Sequence, residues 1–452
     1  MESMAGQTDA GAVDSDLFQD IISQFQVLNG YTHVLIGFQT AADLDHDKLV
    51  SDIQHALDKL INQIPWLGWQ AAEDESGIMK PMPWPRDVAR EQVRVKSCED
   101  IVPAMAQLLR KGAPFDMLDG LVLTPWPGIP VPHGISGPMP IVALQVNFVS
   151  GGVIVNVSAH HNIMDGTGVV QFLRMLSTVL EGHEVPVAEI EQANRDRRRV
   201  VSLIPPGEPV KDINHLRRPP GFEFRAPASP GIWCYFSIAL AAQARLVKSA
   251  AVAASENDIL CAFYWQRLCV SRVARGLRPD TIVKFTRAID GRTAMGVPPS
   301  YMGHMVCHAI TRLPVGQVAT LPLGQLALAL RRDMTAANTA WAVRSYATIM
   351  AREKPDRSAL MYAGAQNPDI DASATSWVIV ADRGKLHALG SWGSLLGPVR
   401  FCRPARTVPL PGLFSPMPPE NGVIPIQMCL PTDDLEALKR DAVWKQYLKF
   451  VG

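Results

Sequence analysis

The sequence predicts an α/β (α+β) protein of two domains joined by a crossover linker. The chain has 452 residues, which is enough for two domains of roughly 200 residues each. Runs of β-branched residues alternate with amphipathic helical patterns in both halves, which is typical of sheets covered by helices. Residues 186–231 are rich in proline and charge, which favours a linker. We therefore expect disorder over residues 1–15 and domains over residues 16–185 and 232–452.

Composition and charge argue against several classes of protein. Hydrophobic residues make up 47% of the chain, so a large core can form. Lysine plus arginine equals aspartate plus glutamate, at 43 each, which argues against a nucleic-acid partner. No apolar run reaches the roughly 18 residues that span a bilayer, and the polar N-terminus does not resemble a signal peptide. Seven dispersed cysteines without a CxxC pair indicate reduced thiols. We expect a cytoplasmic monomer with no membrane partner.

The first half contains clear local patterns. Tyr31–Phe38 alternates as a strand. Asp47–Ile64 places its apolar residues on one face, which predicts an amphipathic helix ended by Pro65. Ile141–Val149 alternates again and is followed by Gly151-Gly152 and a β-branched run, which predicts a hairpin.

The second half contains similar patterns. Trp233–Ile238 is predicted to be a strand, and Ser255 three positions before Asp258 predicts the start of a helix. Leu435–Leu448 predicts a closing helix. In the linker, Arg195–Arg199 carries four arginines. We interpret this run as a solvated face, with a phosphate contact as the alternative.

The most informative stretch of the chain begins as a strand and ends as a helix. Val153–Val157 leads into His160 and His161, Asp165 follows four positions later, and a helical pattern begins after it. Histidine suits proton transfer near neutral pH, and a nearby carboxylate can orient the imidazole or its loop. The two histidines could equally be polar residues that finish a strand. A metal site is disfavoured, because no third His or Cys lies at a characteristic spacing.

The pattern His160-His161-x-x-x-Asp165-Gly166 resembles the HHxxxDG motif of the BAHD and related CoA-dependent acyltransferases. Its longer form resembles the fungal, trichothecene 3-O-acetyltransferase-like branch. The resemblance extends over nearly the whole chain and implies two chloramphenicol-acetyltransferase-like domains, each a mixed β-sheet with flanking helices. The other segments that carry it are Ile64–Gly68, Asn257–Arg267, Ala288–Arg292, Pro298–Met305, Thr375–Trp377 and Ser391–Arg400.

The resemblance also implies roles for particular residues. His161 would be the general base, and Asp165 would hold a structural ion pair with Arg292 beside Gly166. Trp392, or a backbone N–H, would stabilise the oxyanion within the supporting segment Ser391-Trp392-Gly393. In that segment Ser391 stands where relatives carry aspartate. The candidate acceptor pocket contains the side chains of Trp126, His133, His160 and His304, and His304 stands where relatives carry asparagine.

The predicted reaction moves an acyl group, acetyl by default, from acyl-CoA to a hydroxyl or amine of a fungal specialised metabolite. We expect acyl-CoA as a co-substrate, no covalent acyl-enzyme, no bound cofactor and no metal. The sequence contains no GxSxG, Walker A or GxGxxG motif that would indicate other chemistry. Ser391 keeps open a CoA-independent cyclisation, isomerisation or intramolecular acyl shift with His161 as base. A non-catalytic metabolite-binding protein is the remaining alternative.

Overall fold

A computed structural model describes residues 14–85, 91–130, 135, 139–223, 225–353, 359–380, 392–405 and 408–452. Fourteen helices lie in this part of the chain: α1 (His46–Gln63), α2 (Met105–Lys111), α3 (Gly120–Leu123), α4 (Gly166–Leu180), α5 (Val187–Ala193), α6 (Leu240–Ala250), α7 (Glu256–Ala274), α8 (Arg292–Met295), α9 (Val315–Thr320), α10 (Leu323–Ala337), α11 (Ala340–Arg352), α12 (Trp377–Val380), α13 (Gly393–Leu396) and α14 (Thr432–Arg440).

The same part of the chain contains fourteen strands. They are β1 (Tyr31–Gln39), β2 (Gln70–Glu73), β3 (Met79–Met82), β4 (Val93–Ser97), β5 (Val142–Val149), β6 (Gly152–His160), β7 (Gly231–Ala239), β8 (Ile282–Asp290), β9 (Val306–Pro314), β10 (Ala372–Ala374), β11 (Phe401–Ala405), β12 (Leu413–Pro416), β13 (Val423–Pro431) and β14 (Leu448–Phe450).

Two mixed sheets form the framework, so the predicted fold class is confirmed. The first sheet has the order β11-β1-β6-β5-β4, with β4 parallel to β5 and the other pairs antiparallel. The second sheet has the order β14-β7-β13-β12-β10-β8-β9. β2 and β3 form a separate hairpin. Each large sheet contributes to its own extensive cluster of buried apolar side chains.

Strand β6 lies at the centre of the first sheet, between β1 and β5, and all of its residues are buried. Its β-branched sequence suits a strand that is covered on both faces. The hairpin predicted from Gly151-Gly152 is confirmed, because β5 and β6 pair antiparallel across that turn. His160 is the last residue of β6 and pairs with Tyr31 on β1. The central strand therefore delivers the histidine pair to one end of the sheet.

Helix α1 confirms the predicted amphipathic helix. The Asp45 side chain accepts a hydrogen bond from the Lys48 N–H at 2.9 Å, which caps the helix. Leu49, Ile53 and Leu57 lie on its buried face. The predicted start of α7 is also confirmed, since Ser255 and Asp258 form a reciprocal capping box.

Three predictions differ from the structure. Residues 401–405, assigned by pattern to the second domain, form strand β11 of the first sheet. The predicted closing helix over residues 435–448 ends at Arg440, and β14 follows it. The third difference, the burial of Arg197, concerns the candidate site. The predicted disorder of residues 1–15 falls outside the described residues except for Asp14 and Ser15, where a 3₁₀ turn begins.

All seven cysteines are buried, and they form no disulfide with one another. Among the described residues, no helix has both the length and the apolar character needed to cross a membrane.

Candidate active site

The His161 ring is held by the backbone of its own loop. Its Nδ1 lies 3.0 Å from the Met164 carbonyl oxygen. A carbonyl can only accept a hydrogen bond, so Nδ1 carries the proton in the neutral ring and Nε2 carries the lone pair. The His161 backbone N–H also donates to the Gly30 carbonyl at 2.8 Å, which fixes the loop against the start of β1. His161 is partly buried. These bonds orient an imidazole whose Nε2 can accept a proton.

Asp165 begins helix α4 and forms a buried ion pair with Arg292. The Asp165 side chain accepts from the Gly168 N–H at 2.9 Å, which caps the helix. Two Arg292 nitrogens donate to the two carboxylate oxygens at 2.8 and 2.9 Å, and the Met305 N–H donates at 2.8 Å. Burial alone would raise the pKa of Asp165, but the Arg292 guanidinium lowers it to about 2. At neutral pH the carboxylate is therefore charged and fully engaged in bonding.

Arg292 connects this carboxylate to a loop of the second half of the chain. Its Nε donates to the Tyr301 carbonyl at 3.0 Å and its Nη2 to the Gly303 carbonyl at 2.6 Å. Asp290 also accepts from Arg292, at 3.0 Å. Burial opposes the charge on Arg292, yet the neighbouring carboxylates raise its pKa. The pair thus fastens the loop that contains His304 against the start of α4.

The first turn of α4 has room only for a glycine at position 168. A Cβ at this position would overlap the Met302 carbonyl oxygen. The helix and the 301–304 loop can therefore approach closely only if residue 168 has no side chain. Gly166 lies in a looser environment, where a Cβ would be 3.9 Å from the Trp377 ring.

His304 lies beside the catalytic candidate. The two ring centroids, of His161 and His304, are 5.3 Å apart. The His304 Nδ1 lies 3.0 Å from the His161 carbonyl oxygen, so this nitrogen carries the proton. Burial and the neighbouring His161 lower the pKa of His304 to about 3, which makes its ring neutral at physiological pH.

A second buried ion pair holds the same loop, and it corrects the prediction for the arginine run. Arg197 donates to Asp20 at 2.7 Å and its side chain is 1% exposed. Asp20 also accepts from the Tyr301 hydroxyl at 2.8 Å and from the His304 N–H at 3.1 Å. Arg199, by contrast, is 86% exposed. Only part of the run is solvated, because Arg197 balances a carboxylate some 177 positions earlier in the chain.

Sequence reasoning missed this second pair. Asp20 lies in an opening segment whose family resemblance is loose, and no spacing relates it to Arg197 or Tyr301. An aspartate followed by apolar residues gives no sign that it will be buried. The available signal was the loose match of the opening segment itself.

His160 and Trp126 each pack against Tyr31, at the start of β1. Trp126 stacks on Tyr31 with centroids 4.8 Å apart, and Tyr31 meets the His160 ring at 5.6 Å. The His160 Nε2 lies 3.3 Å from the Asn29 side-chain oxygen. Burial and the adjacent His161 lower the pKa of His160 to about 3. His160 is fully buried, so its contacts are those of a packed side chain. His133 lies outside the described residues.

Trp392 and Gly393 lie far from His161, which removes Trp392 as the oxyanion donor. A Cβ on Gly393 would be 3.2 Å from the Leu180 carbonyl oxygen, at the C-terminal end of α4. The fifteen residues of α4 separate its two ends by roughly 21 Å. The Trp392 ring packs on Phe38 with centroids 5.5 Å apart, near the end of β1 opposite the histidines. The indole is a core residue, 1% exposed. Ser391 lies outside the described residues.

A different hydroxyl lies closer to the start of α4. Ser376 Oγ is buried and has no hydrogen-bond partner among the described residues. The next residue, Trp377, is the one whose ring faces Gly166. The segment Thr375–Trp377 was singled out in the sequence, but the pattern gave no indication that its hydroxyl would be unpaired.

Two further observations concern other possible sites. Within the described part of the chain, no three His, Cys, Asp or Glu side chains are grouped so as to hold a metal ion. An open groove of about 790 Å³ lies between α1 and β4, lined by His46, His55, Val95 and Phe148 among others. None of its lining residues belongs to the candidate site, so this groove is a separate surface feature.

The fold matches solved acyltransferase structures. The trichothecene 3-O-acetyltransferase TRI101 of Fusarium sporotrichioides, solved with coenzyme A and T-2, is 28% identical with a TM-score of 0.86, and the match covers 96% of this chain and 99% of that one. Vinorine synthase, at 13% identity and a TM-score of 0.65, shares the fold.

Sequence relatives agree with the structural match. The chain is 38% identical to the O-acetyltransferase SAT5 of Stachybotrys chartarum, over 100% of this chain and 98% of the relative. It is 34% identical to the O-acyltransferase pigD of Monascus ruber, over 96% and 98%. Residues 30–179 match the trichothecene 3-O-acetyltransferase-like N-terminal domain, and residues 131–442 match the Transferase family.

Fold and relatives therefore define an acyltransferase. The chain belongs to the Transferase family, which contains the BAHD enzymes.

Proposed function

We propose that this enzyme transfers an acyl group, acetyl by default, from acyl-CoA to a hydroxyl of a small molecule of fungal secondary metabolism. The observation that carries this proposal is the tether from His161 Nδ1 to the Met164 carbonyl, 3.0 Å long. It leaves the ring with Nε2 as its basic nitrogen. The curated relatives, named as O-acetyltransferases and O-acyltransferases, and the coenzyme A bound to the TRI101 structure support the choice of donor and reaction.

In the proposed mechanism both substrates bind before any bond changes. His161 Nε2 takes the proton of the acceptor hydroxyl while the hydroxyl oxygen attacks the thioester carbonyl carbon. The tetrahedral intermediate collapses, the carbon–sulfur bond breaks, and the protonated His161 returns its proton to the departing thiolate. Acyl transfer is thus direct, without an acyl-enzyme. General-base catalysis of this kind contributes about 10²–10⁴-fold.

Asp165 has a structural role in this mechanism. Its oxygens accept from Arg292, Gly168 and Met305, and a carboxyl with a pKa of about 2 holds no proton to transfer at neutral pH. Its contribution is to hold the His161 loop and the 301–305 loop in fixed positions relative to each other, which positions the two substrates.

For the oxyanion we propose Ser376. Its hydroxyl is buried, has no partner among the described residues, and precedes the tryptophan that contacts Gly166. A preorganised hydroxyl of this kind can stabilise developing negative charge because it needs little rearrangement.

The test uses purified protein, acetyl-CoA and a panel of hydroxylated terpenoids, polyketides and aromatic alcohols. We expect calorimetric binding of acetyl-CoA, and release of CoA together with a product heavier by one acetyl group. His161→Ala should reduce turnover by about 10²–10⁴-fold while retaining acetyl-CoA binding. His55→Ala is the matched control, because His55 is exposed on the outer helix α1.

Failure to bind acetyl-CoA, together with no CoA release for any alcohol, would refute the transferase proposal. Full activity in His161→Ala would refute the general-base assignment. Conversion of an acceptor without CoA, lost in His161→Ala, would instead indicate a rearrangement on the same base.

A further inference from the structure

The His304 ring contains a buried nitrogen that bonds to no other described residue. Its Nδ1–H donates to the His161 carbonyl at 3.0 Å, so Nε2 is a bare acceptor. Among the described residues Nε2 has no hydrogen-bond partner, and His304 is 1% exposed. An unpaired buried polar atom destabilises the protein, because it has given up its hydrogen bonds to water. Beside the proposed catalytic base, such an atom offers a hydrogen-bond acceptor to a bound ligand.

The surrounding backbone fixes the direction of this ring. The His304 N–H donates to Asp20 at 3.1 Å, and the preceding carbonyl, of Gly303, accepts from Arg292 at 2.6 Å. His304 and His161 are 5.3 Å apart between ring centroids, and each directs its Nδ1–H to a main-chain carbonyl. The two imidazoles therefore form a rigid pair in which Nε2 is the acceptor nitrogen of each neutral ring.

Aromatic side chains continue from His304. Tyr362 meets His304 at 6.4 Å between centroids and His308 at 4.5 Å, both edge-on. Phe25 packs on Tyr362 at 5.4 Å. The Nδ1 of His308 is another buried atom without a partner among the described residues. Aromatic rings next to an acceptor nitrogen suit a carbocyclic ligand that presents hydrogen-bond donors at its edge.

We propose that His304 recognises a second hydroxyl of the acceptor, which makes the acceptor class a diol or polyol on a carbocyclic skeleton. One hydroxyl loses its proton to His161, and a neighbouring hydroxyl donates to His304 Nε2. The 5.3 Å between the two ring centroids is short enough for two nearby hydroxyls of one acceptor to reach both rings through hydrogen bonds of about 2.8 Å. This inference rests on the proposed function and narrows its substrate.

The test compares cis-1,2-indanediol with 1-indanol as acceptors for acetyl-CoA. We expect the wild-type enzyme to favour the diol by about tenfold in kcat/KM, the value of one buried hydrogen bond. His304→Asn supplies an amide near the position of Nδ1 but nothing at Nε2, so it should lose the preference. His304→Gln places an amide oxygen near the position of Nε2, so it should recover part of the preference. His55→Gln, on the exposed face of α1, is the control.

The two variants separate recognition from support. If His304 only supported the His161 carbonyl, His304→Asn would preserve the preference and His304→Gln would not. That pattern overturns the inference. So does equal acetylation of both alcohols by the wild-type enzyme, or acetylation of neither by an enzyme that binds acetyl-CoA. An enzyme that does not bind acetyl-CoA refutes the transferase proposal instead.

Discussion

The two ends of helix α4 both contact segments that resemble family motifs, but their physical character is opposite. At the N-terminal end, Asp165 and Arg292 are charged, buried and bonded on every side. At the C-terminal end, Gly393 lies against Leu180, and the Trp392 ring packs on Phe38. The first end organises a histidine, and the second fills a core. A sequence motif indicates that a segment is important. Only the contacts of that segment in the structure show whether its role is catalytic or structural.

The largest expected effect comes from breaking the charged end. Arg292→Ala leaves the Asp165 carboxylate buried without its cation, so we expect a loss of about 3–5 kcal/mol in the free energy of unfolding. Urea denaturation measures this loss. Arg199→Ala is the control, since Arg199 is 86% exposed and should change stability by less than about 0.5 kcal/mol. Equal losses in the two variants would mean that the Asp165–Arg292 pair does not hold the fold.

The apolar end should respond in stability but not in chemistry. Trp392→Leu removes much of a buried ring, and we expect a loss of about 3 kcal/mol. The kcat of the folded enzyme should remain within about twofold, because the ring lies roughly 20 Å from His161. Trp341→Leu provides the control, as Trp341 is 49% exposed. A hundredfold fall in kcat with intact folding would indicate that Trp392 stabilises the oxyanion after all. The two ends of α4 would then not differ in the way described.

Acid should lower the stability of the protein through its buried histidines. Burial lowers the pKa of His160, His304 and His308 to about 3 each, whereas an unfolded histidine titrates near ~6.5. Between these values the unfolded state binds more protons, so stability is complete above about pH 6.5 and falls as pH decreases toward 3. Each histidine contributes up to about 1.4 kcal/mol per pH unit.

A substitution isolates one of these contributions. His308→Asn should make the decline between pH 6 and 4.5 shallower by about 1 kcal/mol per pH unit, as measured by urea denaturation at each pH. His55→Asn should not change the slope, because His55 is exposed. An unaltered slope in His308→Asn would show that this ring is already accessible to protons in the folded state.

The smallest effect concerns the contact at the C-terminal end of α4. Gly393 has a φ of +71°, and a Cβ there would lie 3.2 Å from the Leu180 carbonyl oxygen. Gly393→Ala should therefore lower stability by about 1–2 kcal/mol. Gly207 has a φ of +89° but open space around it. A Tm that falls no further in Gly393→Ala than in Gly207→Ala would show that the contact has no cost.

The sequence predicted what depends on neighbours in the chain. The face of α1, the β5–β6 hairpin and the Ser255 cap follow from periodicity and turn chemistry over a few residues. The Asp165–Arg292 pair was expected from resemblance, and the structure places those two residues in contact. Physical reasoning also predicted a cation near Asp165, because a buried carboxylate needs one.

What was not predictable depends on partners far apart in the chain. Asp20 meets Arg197 and Tyr301 only after the fold forms, and no periodic pattern records such a meeting. The prediction that Trp392 stabilises the oxyanion failed for a related reason. The Trp-Gly pattern does not specify which end of α4 the segment will contact. The Met164 carbonyl that sets the His161 tautomer is a backbone atom, which no sequence motif specifies.

Strand β11 has a consequence for how the enzyme is made. It lies beside β1, where Gly37 accommodates the Phe401 ring, and it comes from residues 401–405 of a 452-residue chain. During translation the first sheet therefore remains open along β1 until residues 401–405 have left the ribosome. An open edge invites pairing with other chains. The sheet that leads into His161 is completed only by residues 401–405, so a fragment that stops before residue 401 would leave β1 as an open edge.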